Sequence, residues 1–334
     1  MYKIAKESPE NLKALFTNTA IKKSISPAII EKDFWVCLIL DYLFNDCTYK
    51  DSFTFKGGTS LSKCFNLINR FSEDIDLILD WQVLGYSLNE PWEDRSKNKQ
   101  NKFNEEANQK AVTFIANELL PCLEKDLEKI IGSKPNLYID PIDPQTICFA
   151  YPHIFEVPGV LQQIRLEIGP LAAWTPSTKK SIMPYVAEYY PQHFNKSESV
   201  IVTASAERTF WEKVTILHHE ANRPIDSEMP ARYSRHYYDL YCIANSDYKI
   251  SAFKDIALLK KVISFKMKFY PRAWAKYEMA IPGSLKLIPP EERFTTLKND
   301  YEGMTEMLFG EYPNFDDLMK FIHTLESEIN NLPE

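Results

Sequence analysis

Two hydrophobic rhythms alternate along the chain. From residue 8 to about residue 45, apolar side chains recur at helical spacing. Ser8-Pro9 and Ser26-Pro27 each place a capping hydroxyl before a proline, which predicts two helix starts. In the second segment Ile29, Ile30, Phe34, Cys37, Leu38 and Tyr42 form one stripe, which predicts a helix with one buried face. The period then shortens to two. Ser52-Phe-Thr-Phe-Lys56 predicts a strand running into Gly57-Gly58. Leu61, Cys64, Phe65 and Ile68 return to helical spacing, and Ile75-Asp-Leu-Ile-Leu79 is strand-like again.

Residues 82–112 are polar and predict an exposed loop or insertion, leading into a helix over roughly 100–131. Strands are expected at 146–151, at 162–168 (ended by Gly169-Pro170) and at 199–203. A proline-punctuated stretch reaches about Pro191. From Ala204 to the end the rhythm is helical. The expected architecture is therefore α+β: residues 1–203 form an α/β lobe with N-terminal helices and a small mixed sheet, and residues 204–334 form an all-α lobe.

Composition changes this picture in three ways. Of 334 residues 45% are hydrophobic, enough for a sizeable core. No run of about 18 apolar residues occurs, and the N-terminus lacks an apolar signal core, so a soluble, cytoplasmic protein without a membrane span is expected. The six cysteines (Cys37, Cys47, Cys64, Cys122, Cys148, Cys242) include no C-x-x-C pair, which suits reduced thiols. The net charge of −7 repels nucleic acid as a whole, so any such contact needs a local basic surface. Residues 249–276 offer one, with eight basic side chains against Asp255, interleaved with Phe253, Phe265, Phe269, Tyr270 and Trp274. It reads either as an amphipathic helix with a solvated basic face or as a docking surface for RNA or a partner protein.

The candidate chemistry lies around the glycine turn. Two glycines between a strand and a helix let the backbone approach a ligand closely. The helix start presents unpaired N–H groups to phosphate, and Thr59 and Ser60 add hydroxyls. Asp74 and Asp76 stand two apart on the next strand, so they share a face while Ile75, Leu77 and Leu79 point to the core. Two carboxylates held together repel, and oxygen ligands of this kind suit Mg²⁺. Such ions activate an attacking hydroxyl and steady departing pyrophosphate in an in-line displacement. The patterns G-x-x-x-x-G-K-[ST] and G-x-G-x-x-G are absent.

In Gln163-Ile-Arg-Leu-Glu-Ile168 the polar face carries Arg165 and Glu167. Two readings stand: a third carboxylate that serves the metal or receives a proton, or a solvent-facing ion pair on a half-exposed strand. Lys213 flanks the apolar stripe Phe210, Val214 and Leu217, and Asp239 sits among tyrosines. By pattern alone these are a stem covering apolar surface and a structural hydrogen-bond partner. His218-His219-Glu220 lacks the H-E-x-x-H spacing and reads as a polar helix face.

The run Gly57-Gly-Thr-Ser-Leu-Ser-Lys63 with Arg70-Phe-Ser-Glu-Asp-Ile-Asp-Leu77 resembles the signature of the AbiEii/AbiGii-type nucleotidyltransferase toxins, DNA polymerase β-like transferases of abortive-infection and toxin–antitoxin systems. The resemblance extends to Glu31-Lys-Asp-Phe-Trp35, Glu207-Arg-Thr-Phe-Trp-Glu-Lys213, Arg235-His-Tyr-Tyr-Asp-Leu-Tyr241 and Pro282-Gly-Ser-Leu-Lys-Leu-Ile-Pro289, and is weakest over 82–135. It implies a polymerase β-like fold and Mg²⁺-dependent transfer of NMP from an NTP to an acceptor hydroxyl, with the tRNA 3′ end as the acceptor by analogy. It also implies phage defence and a cognate antitoxin. For the site it implies Gly57, Gly58, Thr59, Ser60 and Lys63 at the nucleotide and Asp74, Asp76 and Glu167 as metal carboxylates. Lys213 is implied at the triphosphate, and Asp239 as a base or as an orienter of that lysine. The competing expectations are transfer of NMP or phosphate to a protein, or a non-catalytic nucleotide- or partner-binding module.

Overall fold

The computed structural model describes residues 1–70, 72, 74–156, 161–171 and 175–333, with Glu306 described by its backbone alone. Phe71 and Glu73 of the Arg70–Leu77 motif, and residues 172–174 of the proline-punctuated stretch, lie outside the described residues. The chain forms two compact units. One comprises residues 1–64 and 72–203, the other residues 65–71 and 204–334.

The first unit contains α1 (Pro9–Lys23), α2 (Pro27–Asp41), β1 (Phe53–Lys56), α3 (Gly57–Lys63), β2 (Ile75–Leu79), α4 (Lys97–Phe114), α5 (Leu120–Ile131), β3 (Asn136–Ile139), β4 (Thr146–Ala150), β5 (Ile164–Gly169), β6 (Ser177–Ile182), α6 (Tyr185–Tyr189) and β7 (Ser199–Ala204). Its sheet has seven strands in the order β3-β4-β5-β2-β1-β7-β6. It is mixed: β1 runs antiparallel to β2 and parallel to β7, β2 runs parallel to β5, and β4 runs antiparallel to β3 and β5. The second unit carries α7 (Ala206–Ala221), α8 (Ser234–Ala244), α9 (Asp247–Lys254), α10 (Ile256–Phe269), α11 (Phe294–Met304) and α12 (Phe315–Asn330). No helix among the described residues is long and apolar enough to cross a membrane.

Both proline helix starts form as capped helices, with Ser8 Oγ accepting from Asn11 N and Ser26 Oγ from Ala28 N. The helix expected over 100–131 begins earlier, at Lys97, and continues through a π-turn at Ile115–Leu119 into α5. Pro121 follows that turn, where a missing N–H is tolerated. Two edge strands go beyond those expected: β6 (STKKSI), which has no hydrophobic alternation and buries only Ile182, and the four-residue β3, whose one buried side chain is Leu137. The helical spacing of Cys64, Phe65 and Ile68 is not realised. Helix α3 stops at Lys63, and Phe65 joins the second unit, its ring 5.6 Å from that of Tyr248.

Helix α2 departs most from expectation. It is buried on all sides rather than along one stripe, with Trp35, Val36, Ile39 and Leu40 enclosed as fully as Phe34 and Cys37. Its charged triplet is buried too, and each member has a partner. Glu31 accepts the N–H groups of Ile154 (2.7 Å) and Phe155 (3.1 Å), and Lys32 Nζ donates to the Leu161 carbonyl at 2.7 Å. Asp33 accepts the Tyr185 N–H at 2.7 Å and pairs with Lys63 at 2.6 Å. Groups withdrawn from water in this way are tolerated only when so satisfied.

Burial pushes the Glu31 carboxyl up from its ordinary 4.5 to about 6, against the pull of the two N–H donors. The folded state therefore binds this proton more tightly than the unfolded chain does. The resulting stability is complete below pH 4.5 and disappears as pH rises through about 6. Urea denaturation from pH 4.5 to 7 should show Glu31→Gln lacking a decline of about 2 kcal/mol that the parent protein undergoes.

Candidate active site

Strand β1 passes directly into α3, and Gly57 makes the junction. Its φ is +80°, a conformation that L side chains rarely adopt. A Cβ built there would stand 1.9 Å from Asp76 Oδ2, so the turn and the carboxylate occupy adjoining space only because that atom is missing. Thr59 Oγ1 donates to the Asp74 carbonyl at 2.5 Å and lies 2.9 Å from Ser72 Oγ, bracing the approach to β2. Ser60 Oγ donates to the Gly57 carbonyl at 2.9 Å. Both hydroxyls are buried. Thr59 and Ser60, expected to offer donors to phosphate, instead hold the backbone of the turn.

Lys63, expected at the nucleotide, is enclosed as well. Its ammonium is 2.6 Å from Asp33 Oδ1 and 4.1 Å above the Tyr185 ring, with 7% of the side chain exposed. A lysine so enclosed fixes α3 to α2. Its charge is balanced by Asp33 in this placement.

The sheet register assembles the carboxylates. Asp76 lies directly across from Lys56 on one side and from Glu167 on the other. Asp74 precedes it by two residues and is half-buried. On β5 the alternation is as the sequence suggested: Ile164, Leu166 and Ile168 are buried, while Arg165 and Glu167 are not. Glu167 combines features of the two readings open to it. It forms the strand-face pair, 3.5 Å from Arg165 Nε, and it stands beside the aspartates. Arg165 in turn donates through Nη1 to Asp140. Partial burial, then the charges of Asp76 and Asp74, raise the Glu167 carboxyl above its ordinary value, and Arg165 offsets only part of this.

Among the described residues no three His, Cys, Asp or Glu side chains already converge as a closed metal cage. The set nevertheless fits a hard divalent cation: all donors are carboxylate oxygens, and their mutual repulsion is what such an ion would relieve.

The second unit holds a different charge arrangement. Asp239 on α8 is fully buried and receives Arg70 in a fork, Nε to Oδ1 at 2.7 Å and Nη2 to Oδ2 at 3.0 Å. Lys213 on α7 donates to Asp239 Oδ2 at 2.8 Å and lies 2.9 Å from His236 Nδ1. Burial alone would raise the Asp239 carboxyl, but Arg70 and Lys213 together hold it far below the usual carboxylate range. A carboxylate that acidic is a poor proton acceptor, so of the two expected roles the geometry favours orienting the lysine. Burial, then Lys213 and Arg235, keep the His236 imidazole neutral, so Nδ1 accepts from the ammonium and the ring proton sits on Nε2. Burial lowers Lys213 as well, and Arg70 and Arg235 add to this against Asp239. In the contacts described, two cations thus share this one carboxylate.

Arg70 and His236 went unassigned in the sequence, although Arg70 heads the Arg70–Leu77 motif and His236 lies inside Arg235–Tyr241. His218-His219-Glu220 is not the polar face it suggested. His218 and Glu220 are each 1% exposed, and His218 bridges the Lys276 carbonyl and the Lys286 N–H at 3.0 Å each. Helix α7 is packed by α8, α9 and α10, which leaves these groups little solvent to face.

A mixed sheet carrying grouped acids behind a glycine turn, with a helical second unit, defines a nucleotidyltransferase. A family model described as "Nucleotidyl transferase AbiEii toxin, Type IV TA system" matches residues 38–321, and the chain belongs to that family. It is thus a nucleotidyltransferase toxin of a type IV toxin–antitoxin system, which implies a nucleotide substrate and a cognate antitoxin. Among solved structures it is similar to MenT4, a nucleotidyltransferase toxin from Mycobacterium tuberculosis H37Rv. The TM-score is 0.55 at 15% identity, over 96% of this chain and 90% of that one. That likeness is one of fold. No curated protein matches the chain.

Two substitutions separate architecture from chemistry. Gly57→Ala should displace the Asp76 carboxylate, lowering nucleotidyl transfer by about 10²-fold or more at a stability cost of about 1–2 kcal/mol. Lys63→Met should leave Asp33 buried without its partner and cost about 3–5 kcal/mol in urea denaturation. Pairing it with Asp33→Asn should recover much of that loss, whereas a nucleotide ligand would show its loss in KM instead.

Proposed function

We propose that the chain transfers a nucleoside monophosphate from an NTP to an acceptor hydroxyl, using Mg²⁺ at Asp74, Asp76 and Glu167. The observation that carries this reading is the register Asp76–Glu167 across parallel strands, with Gly57 pressed against Asp76. A divalent cation bound there would supply the positive charge that both the carboxylates and the triphosphate oxygens require. Gly57 and Gly58 leave the backbone open to close approach by phosphate. Glu167, across the strand pair from Asp76, is placed to complete the metal site or to receive the proton of the attacking hydroxyl. The new bond joins the acceptor oxygen to the α-phosphorus. The bond to the bridging oxygen breaks, and pyrophosphate leaves with the electron pair.

Lys213 is assigned to the triphosphate on the strength of the family resemblance and of its sharing the Asp239 carboxylate with Arg70. Arg70 supports that role by occupying both oxygens of Asp239, so the lysine is oriented without being neutralised. The acceptor proposed by the same resemblance is the 3′ end of a tRNA.

Purified protein incubated with total RNA and each NTP in turn should move label from the α position, and none from the γ position, into RNA. Asp74→Asn and Asp76→Asn should each lower the rate by about 10²-fold or more, the scale of losing an electrostatic stabiliser. Glu167→Gln should lower the rate as well, by removing a carboxylate from the same group. Label arriving from the γ position, or undiminished transfer with both aspartates replaced, would overturn the reading.

A further inference from the structure

The basic stretch at 249–276 folds into one region of the second unit. Between Asp255 and Glu278 the chain carries Lys260, Lys261, Lys266, Lys268, Arg272 and Lys276 and no acidic residue, in a protein of net charge −7. Helix α10 buries Leu258, Leu259, Val262, Ile263, Phe265 and Phe269, which turns Lys260 and Lys261 outward. So far this is an ordinary solvated helix face.

The segment after α10 is less ordinary. Tyr270 is 49% exposed. Trp274, only partly covered, has the guanidinium carbons of Arg223 and Arg272 at 5.0 and 5.8 Å from its ring centroid and the His219 ring edge-on at 4.4 Å. Arg223 is anchored by Glu220 at 2.7 Å, whereas Arg272 and Lys276 are exposed. Lys276 is presented by a left-handed turn with φ 48°. The concentration of positive charge is felt by His219, which burial and then Lys266, Arg272 and Arg223 bring down to about 3. Its Nε2 is buried with no hydrogen-bond partner. Exposed Tyr270 and partly exposed Trp274 thus place aromatic surface among these cations.

We propose that this face binds single-stranded nucleic acid, with backbone phosphates on Lys260, Lys261, Arg272 and Lys276 and a base stacked at Tyr270 and Trp274. Cations that track a backbone beside rings that accept any base are the combination single strands require. A duplex keeps its bases stacked on one another and could use only the cations. An acidic peptide likewise could not use the rings. The inference concerns binding and stands without the transfer chemistry. It rests on the proposed reading only where the bound strand is identified with the acceptor.

The test is fluorescence anisotropy of the full-length protein with a labelled single-stranded RNA of about 12 nucleotides and with its duplex, between 50 and 200 mM salt. The single strand should bind more tightly. Trp274→Ala should weaken it about 5- to 150-fold. Lys260→Ala with Lys261→Ala should reduce the slope of log affinity against log salt by about 1.4, and Arg272→Ala with Lys276→Ala by a similar amount. Asp76→Asn should bind RNA as the parent protein does, and Trp274→Ala should bind NTP unchanged, so failure of the nucleotide site and failure of this face are read apart. Should Trp274→Ala not fold, the two charge pairs, all at exposed positions, decide the matter. Unchanged affinity in every folded variant, a preference for duplex, or binding of polyglutamate but not RNA would overturn the proposal, the last assigning the face to an acidic protein.

Discussion

Gly57 and Asp76 meet so closely that a single methyl group would not fit between them, and much of the first unit follows from keeping that contact. The turn can lie on the strand only if β1 and β2 pair in the register that sets Lys56 opposite Asp76. The same register, continued to β5, brings Glu167 alongside. Thr59 ties the turn to the Asp74 carbonyl, so the second aspartate cannot drift from the first. Acids gathered in this way oppose folding. Two unit charges about 4 Å apart near a protein surface repel by about 4 kcal/mol. The opposite faces of the same strands bury Ile75, Leu77, Leu79, Ile164, Leu166 and Ile168, each contributing about 1.5–3 kcal/mol. Apolar packing therefore exceeds the repulsion, and the sheet holds an arrangement of charges that would otherwise disperse.

The second unit inverts this logic. There one carboxylate, Asp239, is enclosed by two cations, Arg70 and Lys213. Burial makes each of these groups costly in isolation, and the fork from Arg70 is what lets the aspartate stay ionised. A neutral His236 contributes an acceptor without adding charge, which leaves the ammonium directed but not cancelled. The first unit gathers carboxylates, and the second gathers cations about one carboxylate.

The parts of this protein that could be read from sequence are those governed by short-range periodicity. The strands around Asp74–Asp76 and Glu167, the glycine turn and the helical character after Ala204 all follow from alternation and spacing. Edge strands such as β6 escaped because a strand exposed along one side has no apolar face to display. Helix α2 showed one stripe but is enclosed on every side, since a sequence does not say how many neighbours a helix will have. The same blindness covers the site. Arg70, His236 and the Lys63–Asp33 pair depend on partners 23 to 169 residues away, and no local pattern announces such distances.

A family signature mixes residues with different surroundings, and charge environment distinguishes them better than residue type or burial does. Lys63 and Lys213 are both lysines within the resemblance, and both are nearly enclosed. Lys63 meets a carboxylate that no other cation shares in the contacts described, so its charge is balanced where it stands. Lys213 meets a carboxylate that Arg70 also occupies, so in the contacts described it shares that negative charge rather than holding it alone. The distinction extends to acids. Asp33 and Glu31 are buried with backbone and lysine partners, whereas Glu167 remains partly open beside two other carboxylates. Residual electrostatic imbalance, rather than membership of the motif, therefore separates the groups with chemistry left to perform from those that complete the architecture.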